Sequence, residues 1–191
     1  MMQDVVIGIN LRYLINVPNV TIFGLDSNPI RLMRAQKNSN NQAFLVLGSL
    51  LERNFKENYF DIVLCNHVLE HIEKDLDVLI NLHRILKPGG ILILGTPNEG
   101  AFLWQLNYEI IQPRIMRETD HVHFYTAKKL AELFKKANFK IEEVKFMGWG
   151  VPHTEIDMLL RQYKWIDDFF EVIGSRFFKS QATSLYFICK K

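Results

Sequence analysis

Short apolar runs alternate with longer segments of helical periodicity along this chain. The clearest case lies between residues 58 and 98, where the apolar runs Ile62–Cys65 and Ile91–Leu94 flank a periodic segment. Apolar or ring-bearing side chains recur at i, i+3, i+4 and i+7 in that segment, at Leu76, Leu79, Ile80 and His83. The sequence Lys87–Gly90 is expected to end the helix in a turn, because proline cannot continue it and glycine accepts positive φ. The pattern predicts a βαβ unit.

The same alternation continues on both sides of this unit. Further strands are predicted at residues 4–10, 20–25, 43–47, 140–147 and 184–189, and a short helix at 11–17. Helices are expected after Pro29, after a Thr126 cap, and after Thr154, where Thr154 and Asp157 resemble a capping box. Because the two last strands lie close in sequence around one helix, we predict an α/β sheet whose final strand is antiparallel.

Composition narrows the class of protein. The 191 residues suit one domain, 1–191, with a full core, and 48% are hydrophobic. A net charge of +2 gives no indication of nucleic-acid binding. Both cysteines lie in apolar runs and are expected to be buried thiols. No secretory signal or membrane-spanning run is visible, so we expect a cytoplasmic protein.

Polar residues follow several predicted strands, at the edge where α/β sheets bind ligands. Asp26 follows the second strand, and its carboxylate could accept both hydroxyls of a ribose or simply cap the next turn. Ser49 and Leu50 follow the third strand and could border an adenine ring, although Gly-Ser is also ordinary turn sequence. The site is therefore expected at the carboxyl ends of the strands.

Histidines concentrate at two places near this edge. His67, Glu70 and His71 would share one face of a helical turn. They could bind a divalent metal, supply a general base near neutral pH, or serve only structural roles. Alternation would place His121 and His123 on one side of an extended segment, where they could join the other histidines or hydrogen-bond a carbonyl.

Several motifs in this order resemble class I S-adenosylmethionine-dependent methyltransferases, in the subgroup of ubiquinone-pathway and glycan-cluster enzymes. These motifs are Asp26, the sequences at 60–63, 68–71, 86–90, 95–98 and 123–126, and the segment 137–139. The resemblance covers nearly the whole chain. It implies a Rossmann-like sheet of strand order 3-2-1-4-5-7-6, with strand 7 antiparallel and helices on both faces.

The resemblance also implies roles for residues. S-adenosylmethionine would be the cofactor, with His71 and His121 as the candidate catalytic residues and no metal. The cofactor-binding residues would be Gly8, Asn10, Asp26, Ser27, Ser49, Leu50, Asn66, His67 and Val68. An insertion at about 99–125, partly helical, would cover the methyl acceptor.

Two departures from the family pattern bear on activity. Val6, Gly8 and Asn10 stand where the family's loop has three glycines, so only Gly8 matches. The helical segment that usually precedes the first strand is almost missing, which would leave an apolar N-terminal face uncovered. A truncated product, a wrongly assigned start and a loss of catalysis would each explain both departures.

Three hypotheses follow. The first is methyl transfer, at oxygen in particular, to a small-molecule, glycan or lipid-linked acceptor. The second is a catalytically impaired methyltransferase-like domain that acts as a binding or partner subunit, as a homo-oligomer or with another protein over the uncovered N-terminal face. The third is a nicotinamide-dependent oxidoreductase, which Asp26 would suit but the missing glycine fingerprint disfavours.

Overall fold

The computed structural model describes residues 3–7, 17–40 and 42–191, with only the backbone described at 3–7. Seven strands are formed: β1 (Gln3–Ile7), β2 (Val20–Asp26), β3 (Ala43–Leu47), β4 (Phe60–Asn66), β5 (Leu86–Pro97), β6 (Lys140–Met147) and β7 (Ser184–Lys190). The α-helices are α1 (Pro29–Asn38), α2 (Asp75–Ile85), α3 (Phe102–Leu106), α4 (Pro113–Glu118), α5 (Ala127–Lys136), α6 (Thr154–Leu160) and α7 (Lys164–Phe177). Short 3₁₀ turns lie at Leu69–His71 and Lys179–Gln181, and a π-helical turn at Asn107–Ile111.

The seven strands form one sheet in the order β3-β2-β1-β4-β5-β7-β6. Strands β1 to β5 are parallel neighbours, whereas β7 runs antiparallel to both β5 and β6. This is the strand order that the resemblance implied. Because β1 to β5 are parallel, their carboxyl ends meet at one edge of the sheet, where ligands bind in such folds.

The main core lies on one face of β4, β5 and β7, under α2 and α5. Helix α2 contributes Val78, Leu79 and Leu82, which recur at helical spacing and are fully buried. Helix α5 begins at the predicted Thr126 cap, whose hydroxyl accepts a bond from the Lys129 amide at 3.3 Å. The framework that carries the strand ends is therefore well packed in this half of the sheet.

Helix α1 begins as the sequence predicted. The Asn28 side chain accepts bonds from the amides of Ile30 and Arg31 at 2.9 and 3.3 Å, and Pro29 occupies the first helical position. The predicted helix at 11–17 and the end of the first predicted strand lie almost entirely outside the described residues.

The prediction that Lys87–Gly90 forms a turn outside the sheet was wrong. Strand β5 begins at Leu86, directly after α2, and includes these residues. Phe60 pairs with Leu86 and Ile62 with Ile91, so the extra residues form an irregularity in the ladder. Gly89, with a φ of 79°, supplies the left-handed backbone that this irregularity needs.

The expected capping box at Thr154 was also wrong. The helix starts after His153 with no side-chain capping bond, and Asp157 is 8% exposed. Its carboxylate accepts bonds from the Val151 amide at 3.1 Å and from Arg161 Nε at 2.6 Å. Arg161 also reaches the carbonyl oxygen of Trp149, and the single helix expected here is divided into α6 and α7 around this arginine.

Two segments extend the carboxyl edge of the sheet. The first, residues 99–118, follows β5, and the second, residues 148–183, connects β6 to β7. Asn98 at the end of β5 donates to the carbonyls of Ser180 and Ala182 at 3.1 and 2.8 Å, and the Thr154 amide donates to Gln112 Oε1 at 3.0 Å. These bonds join the two segments beside the candidate site. Among the described helices, none combines the length and apolar character that spanning a bilayer requires.

Candidate functional site

The site lies at the carboxyl ends of β2, β3 and β4, together with the 3₁₀ turn after β4 and the segment 120–123. The last segment is held against the turn by backbone bonds. The amides of Val122 and His123 donate to the carbonyl oxygen of Glu70 at 2.8 and 3.1 Å. Residues more than fifty positions apart are thereby brought to one place.

Asp26 closes β2 at this edge. Its Oδ1 accepts a bond from the Asn28 amide at 2.8 Å, which is the turn role that the sequence left open. Within the described ranges, its second carboxylate oxygen has no hydrogen-bond partner. Asp26 can therefore hold the turn with one oxygen and receive a ribose hydroxyl with the other.

The loop after β3 is organised by its own side chains. The Ser49 amide donates to Glu52 Oε2 at 3.0 Å, and Ser49 Oγ accepts from the Leu51 amide at 3.2 Å. The Leu50 carbonyl accepts a bond of 2.7 Å from Asn81 on α2. Ser49 and Leu50 are thus fixed beside Asp26, whose carbonyl accepts the Gly48 amide at 3.1 Å. Ser27, next to Asp26, is exposed.

The end of β4 carries a constrained backbone. His67 adopts a φ of 50°, a left-handed conformation uncommon for a residue with a side chain. Its amide donates to the Gly95 carbonyl at 2.9 Å, which keeps the turn next to β5. Asn66 is exposed at this edge and its side chain lies near Tyr186 of β7, while Val68 packs against the main core. Strained backbone of this kind concentrates at functional sites.

Glu70 is a buried carboxylate among histidines. Its side chain is 1% exposed, and its Oε1 lies 3.4 Å from His67 Nδ1 and 4.0 Å from His71 Nε2. Neither approach forms a hydrogen bond, and Oε1 has no such partner within the described part of the chain. Oε2 accepts the Thr96 hydroxyl at 3.4 Å. A buried carboxylate oxygen without a hydrogen-bond partner favours a positive charge nearby, because that charge offsets the cost of removing the carboxylate from water.

His71 and His121 form the centre of the cluster. Their rings lie 4.8 Å apart at an angle of 67°, so the insertion does bring a second histidine to the first. His71 Nδ1 lies 3.0 Å from Asp120 Oδ1, and its Nε2 faces Glu70. Both nitrogens of His71 therefore face carboxylates, whereas no described residue hydrogen-bonds His121.

The electrostatic surroundings of His121 suit a base. Burial lowers the pKa of His121 below its usual value, an effect that the nearby His71 and His67 reinforce and that Glu70 and Asp120 oppose. A lowered pKa keeps the imidazole neutral, with a free lone pair, near neutral pH. His121 can therefore accept a proton from a substrate hydroxyl.

His123 does not join this cluster. Its Nε2 lies 3.0 Å from the Glu73 carbonyl, and 3.8 Å from Asp75 Oδ2. Tyr125, which is 1% exposed, donates its hydroxyl to the same Asp75 oxygen at 2.8 Å. These contacts anchor the end of the insertion, which is the carbonyl-bonding role that the sequence left open for a loop histidine.

The sequence did not predict that Asp120 contacts the histidine cluster or that Glu70 is buried among the histidines. Asp120 lies next to His121 in sequence, so a carboxylate beside two expected site histidines was the available signal. A small pocket of about 40 Å³ beyond β5 was also not foreseen. Its lining is Pro97, Asn98, Glu99, Trp104, Gln105, Tyr108 and Thr183. Burial raises the pKa of both Glu99 and Tyr108 there.

The cluster permits two kinds of chemistry. One ligand atom from each of Glu70, His71 and His121 can be chosen so that all three lie within 4.8 Å of one another, an arrangement that could hold a metal ion. The same residues can instead place a neutral imidazole beside a second histidine and remove a proton. Gly8 and Asn10, the remaining expected cofactor residues, lie outside the described residues.

Comparison with known proteins identifies the family. A methyltransferase domain family matches residues 7–144, which include the strand ends, the histidine cluster and α5. The chain therefore belongs to the methyltransferase domain family. The match confirms the resemblance to methyltransferases that the sequence motifs carried.

A curated relative also has a methyltransferase name. The chain is 29% identical over 141 residues to a ubiquinone biosynthesis O-methyltransferase of Rickettsia bellii, a match that covers 72% of this chain and 59% of the relative. The chain thus spans about three fifths of the length of this curated relative.

Solved structures share the fold. A putative sarcosine dimethylglycine methyltransferase from Galdieria sulphuraria matches with a TM-score of 0.71 at 17% identity, over 100% of this chain and 78% of that one. A putative methyltransferase of Haloferax volcanii, solved in complex with the Trm112 methyltransferase activator, matches with a TM-score of 0.71 at 17% identity. That match covers 98% of this chain and 82% of the other.

Proposed function

We propose that this chain binds S-adenosylmethionine at the carboxyl edge of its sheet and transfers the methyl group to a hydroxyl oxygen of an acceptor. The family match supports the reaction class, and the name of the Rickettsia bellii relative supports transfer to oxygen. The acceptor is a small molecule, a glycan or a lipid-linked molecule. The observation that carries the proposal is His121, an imidazole kept neutral by burial, 4.8 Å from His71 at this edge.

The cofactor-binding residues are proposed along the strand ends. Asp26 would hold the ribose through its second carboxylate oxygen, with Ser27 beside it. Ser49 and Leu50 would border the adenine. Asn81 and Glu52 hold their loop in place. Asn66, His67 and Val68 would line the methionine side, where the left-handed His67 turns the chain around the end of β4. Gly8 and Asn10 complete this proposed set.

When bound, the cofactor supplies an electrophilic methyl group on a sulfonium. Methyl transfer needs an in-line approach of the acceptor oxygen, so the protein acts mainly by positioning and by excluding water. The sulfur–methyl bond of the cofactor would break to leave a neutral thioether, and His121 would take the hydroxyl proton of the acceptor on a ring nitrogen. His71 lies beside it, held by Asp120 and Glu70, and fixes the base in position.

The insertion at about 99–125 would form the acceptor side of the proposed site. Residues 99–118 follow β5 at the same edge, and the bonds of Val122 and His123 to Glu70 return the chain to the histidine cluster. The small pocket lined by Glu99 and Tyr108 lies under this segment. We propose that residues 99–118 cover the bound acceptor.

The test is transfer of a labelled methyl group from S-adenosylmethionine to a panel of hydroxyl-bearing phenols, glycans and lipid-linked acceptors. Transfer to any of them that is abolished in His121→Ala supports the proposal. Cofactor binding without transfer to any acceptor would favour the alternative, a catalytically impaired domain that acts as a binding or partner subunit.

A further inference from the structure

The two edges of the sheet differ in how they are protected from other strands. Strand β6, at one edge, carries Lys140, Glu142, Glu143 and Lys145, and Lys140 Nζ lies 2.8 Å from Glu142 Oε1. Its register with β7 also shifts between Ile141 and Glu143. Charges and irregular register both hinder the addition of a further strand, so the β6 edge is protected.

The β3 edge has none of these features. Its sequence, AFLVL, contains no charge and no proline, and its register with β2 runs without a shift. Within the described residues, β2 is its only strand partner. Alternate residues of β3 therefore direct N–H and C=O groups away from the sheet. Phe44 and Leu47 are 61% and 59% exposed, which is unusual for large apolar side chains on an unprotected edge.

We propose that β3 pairs with β3 of a second copy of this chain, in antiparallel orientation about a two-fold axis at Leu45. Antiparallel pairing across a two-fold axis is self-complementary, so each copy satisfies the open backbone groups of the other. The two sheets then continue as one. This inference does not depend on methyl transfer, since it rests on the edge strand alone.

The side chains of β3 fit this register. Pairing centred on Leu45 places Phe44 opposite Val46 of the second copy, and Ala43 opposite Leu47. On each face a larger, exposed side chain meets a smaller one, and apolar pairs of this kind stabilise neighbouring strands. Because residues 42–48 carry no charge, no like charges face each other across the axis. The chemistry of the strand thus favours its own copy as the partner.

The test combines sedimentation equilibrium with hydrogen exchange over a wide range of protein concentration. The native chain is expected to be a dimer, and the amides of residues 43–47 to gain protection as concentration rises. Leu47→Lys and Phe44→Lys should each weaken the dimer at least tenfold, because each places an ammonium group in the apolar interface. Phe102→Lys is the matched control, since Phe102 is 62% exposed but lies in α3, away from this edge.

Several outcomes would overturn the proposal. A native chain that stays monomeric at all concentrations contradicts it directly. A dimer that both edge variants leave intact, or that Phe102→Lys weakens equally, places the interface elsewhere. Phe44 stacks on Phe23 with ring centroids 5.1 Å apart, so its loss could disturb folding. Leu47→Lys is therefore the deciding variant, with circular dichroism of the monomer as the check on its fold.

Discussion

His121 differs from His71 in what surrounds its ring nitrogens. His71 lies between Asp120 and Glu70, at 3.0 and 4.0 Å, whereas no described residue hydrogen-bonds His121. A proton acceptor needs a free lone pair, and a positioning group needs fixed partners. At the residue scale, these contacts support our proposal that His121 takes the proton and that His71 positions His121.

Replacing His121 tests the first assignment. His121→Ala should lower kcat by about 10²–10⁴-fold, the usual contribution of a positioned general base. Affinity for S-adenosylmethionine should change little, because His121 is not among the proposed cofactor-binding residues. Steady-state kinetics and calorimetry measure the two effects. His123→Ala is the control, since His123 contacts Glu73 and Asp75 instead; an equal loss of kcat there would contradict the assignment.

The pH dependence of kcat follows from the lowered pKa of His121. Protonation removes the lone pair, so kcat should fall as the pH decreases through a midpoint below about 6.5, the usual histidine value. Glu70 raises the pKa of His121. The acid limb of the profile should therefore move to lower pH in Glu70→Gln. A midpoint that moves to higher pH in Glu70→Gln, or a native acid limb with its midpoint above about 6.5, would exclude His121 as the base.

Asp26 offers a second test at this scale. Asp26→Asn keeps an oxygen that can accept the Asn28 amide but removes the charge and one acceptor. The Kd for S-adenosylhomocysteine should rise about tenfold to a hundredfold, as expected for a lost hydrogen bond to a charged group. An unchanged Kd in a folded variant would show that Asp26 only holds the turn.

The positions of the residues at strand ends could be predicted from the sequence, but the residues that they contact in the fold could not. Asp26, Asn66 and His67 could be located because each follows an apolar run. The contact between His71 and Asp120 joins positions 49 apart, and it depends on backbone bonds from Val122 and His123 to Glu70. Periodicity reports only local neighbours, so it cannot reveal such a contact.

At the scale of elements, the packing of α7 depends on Gly174, whose lack of a side chain lets Trp149 approach the helix closely. Gly174 is buried against Trp149, which is 5% exposed and donates its indole N–H to the Phe178 carbonyl at 2.9 Å. A Cβ at position 174 would overlap the indole ring. The second segment at the carboxyl edge is thus packed around Trp149.

Gly174→Ala should therefore destabilise the protein by about 1–3 kcal/mol, the usual cost of overpacking a filled site. Alanine has the higher helix propensity, so propensity alone predicts the opposite sign. Urea unfolding gives the free energy. Ser175→Ala is the neighbouring control, because it removes only a bond from Ser175 Oγ to the Val172 carbonyl. A Gly174→Ala variant as stable as the native chain would contradict the packing argument.

Two predictions about individual elements were wrong, each for a physical reason. The turn expected at Lys87–Gly90 became part of β5 because the sheet tolerates an irregularity where glycine adopts positive φ. The long C-terminal helix was divided because Arg161 binds Asp157, Asp167 and the Trp149 carbonyl together. Both outcomes depend on tertiary partners that overrule local propensity.

At the scale of the whole molecule, the strand order was the most predictable property. Alternating strands and helices indicate a parallel sheet, and two late strands around one helical segment indicate the antiparallel end. The exact order came from the resemblance, and the structure has that order. That order already placed β3 at an edge of the sheet, but the exposure of Phe44 and Leu47 on this strand was not foreseen.

Metal dependence is a property of the assembled site. Glu70, His71 and His121 could hold an ion, yet the proposed mechanism needs only the two imidazoles. We expect kcat to be unchanged after exhaustive chelation with EDTA and dialysis. Loss of activity that Mg²⁺, Mn²⁺ or Zn²⁺ restores would contradict this expectation and assign the cluster to a metal-assisted reaction.

We propose above that the carboxyl edge of this sheet binds the methyl donor. Isothermal titration calorimetry with S-adenosylmethionine and S-adenosylhomocysteine on the native chain tests it most directly, with Asp26→Asn as the comparison. We expect saturable binding of about one ligand per chain, weakened in the variant. No heat of binding at millimolar ligand, with a chain that is folded by circular dichroism, would contradict it.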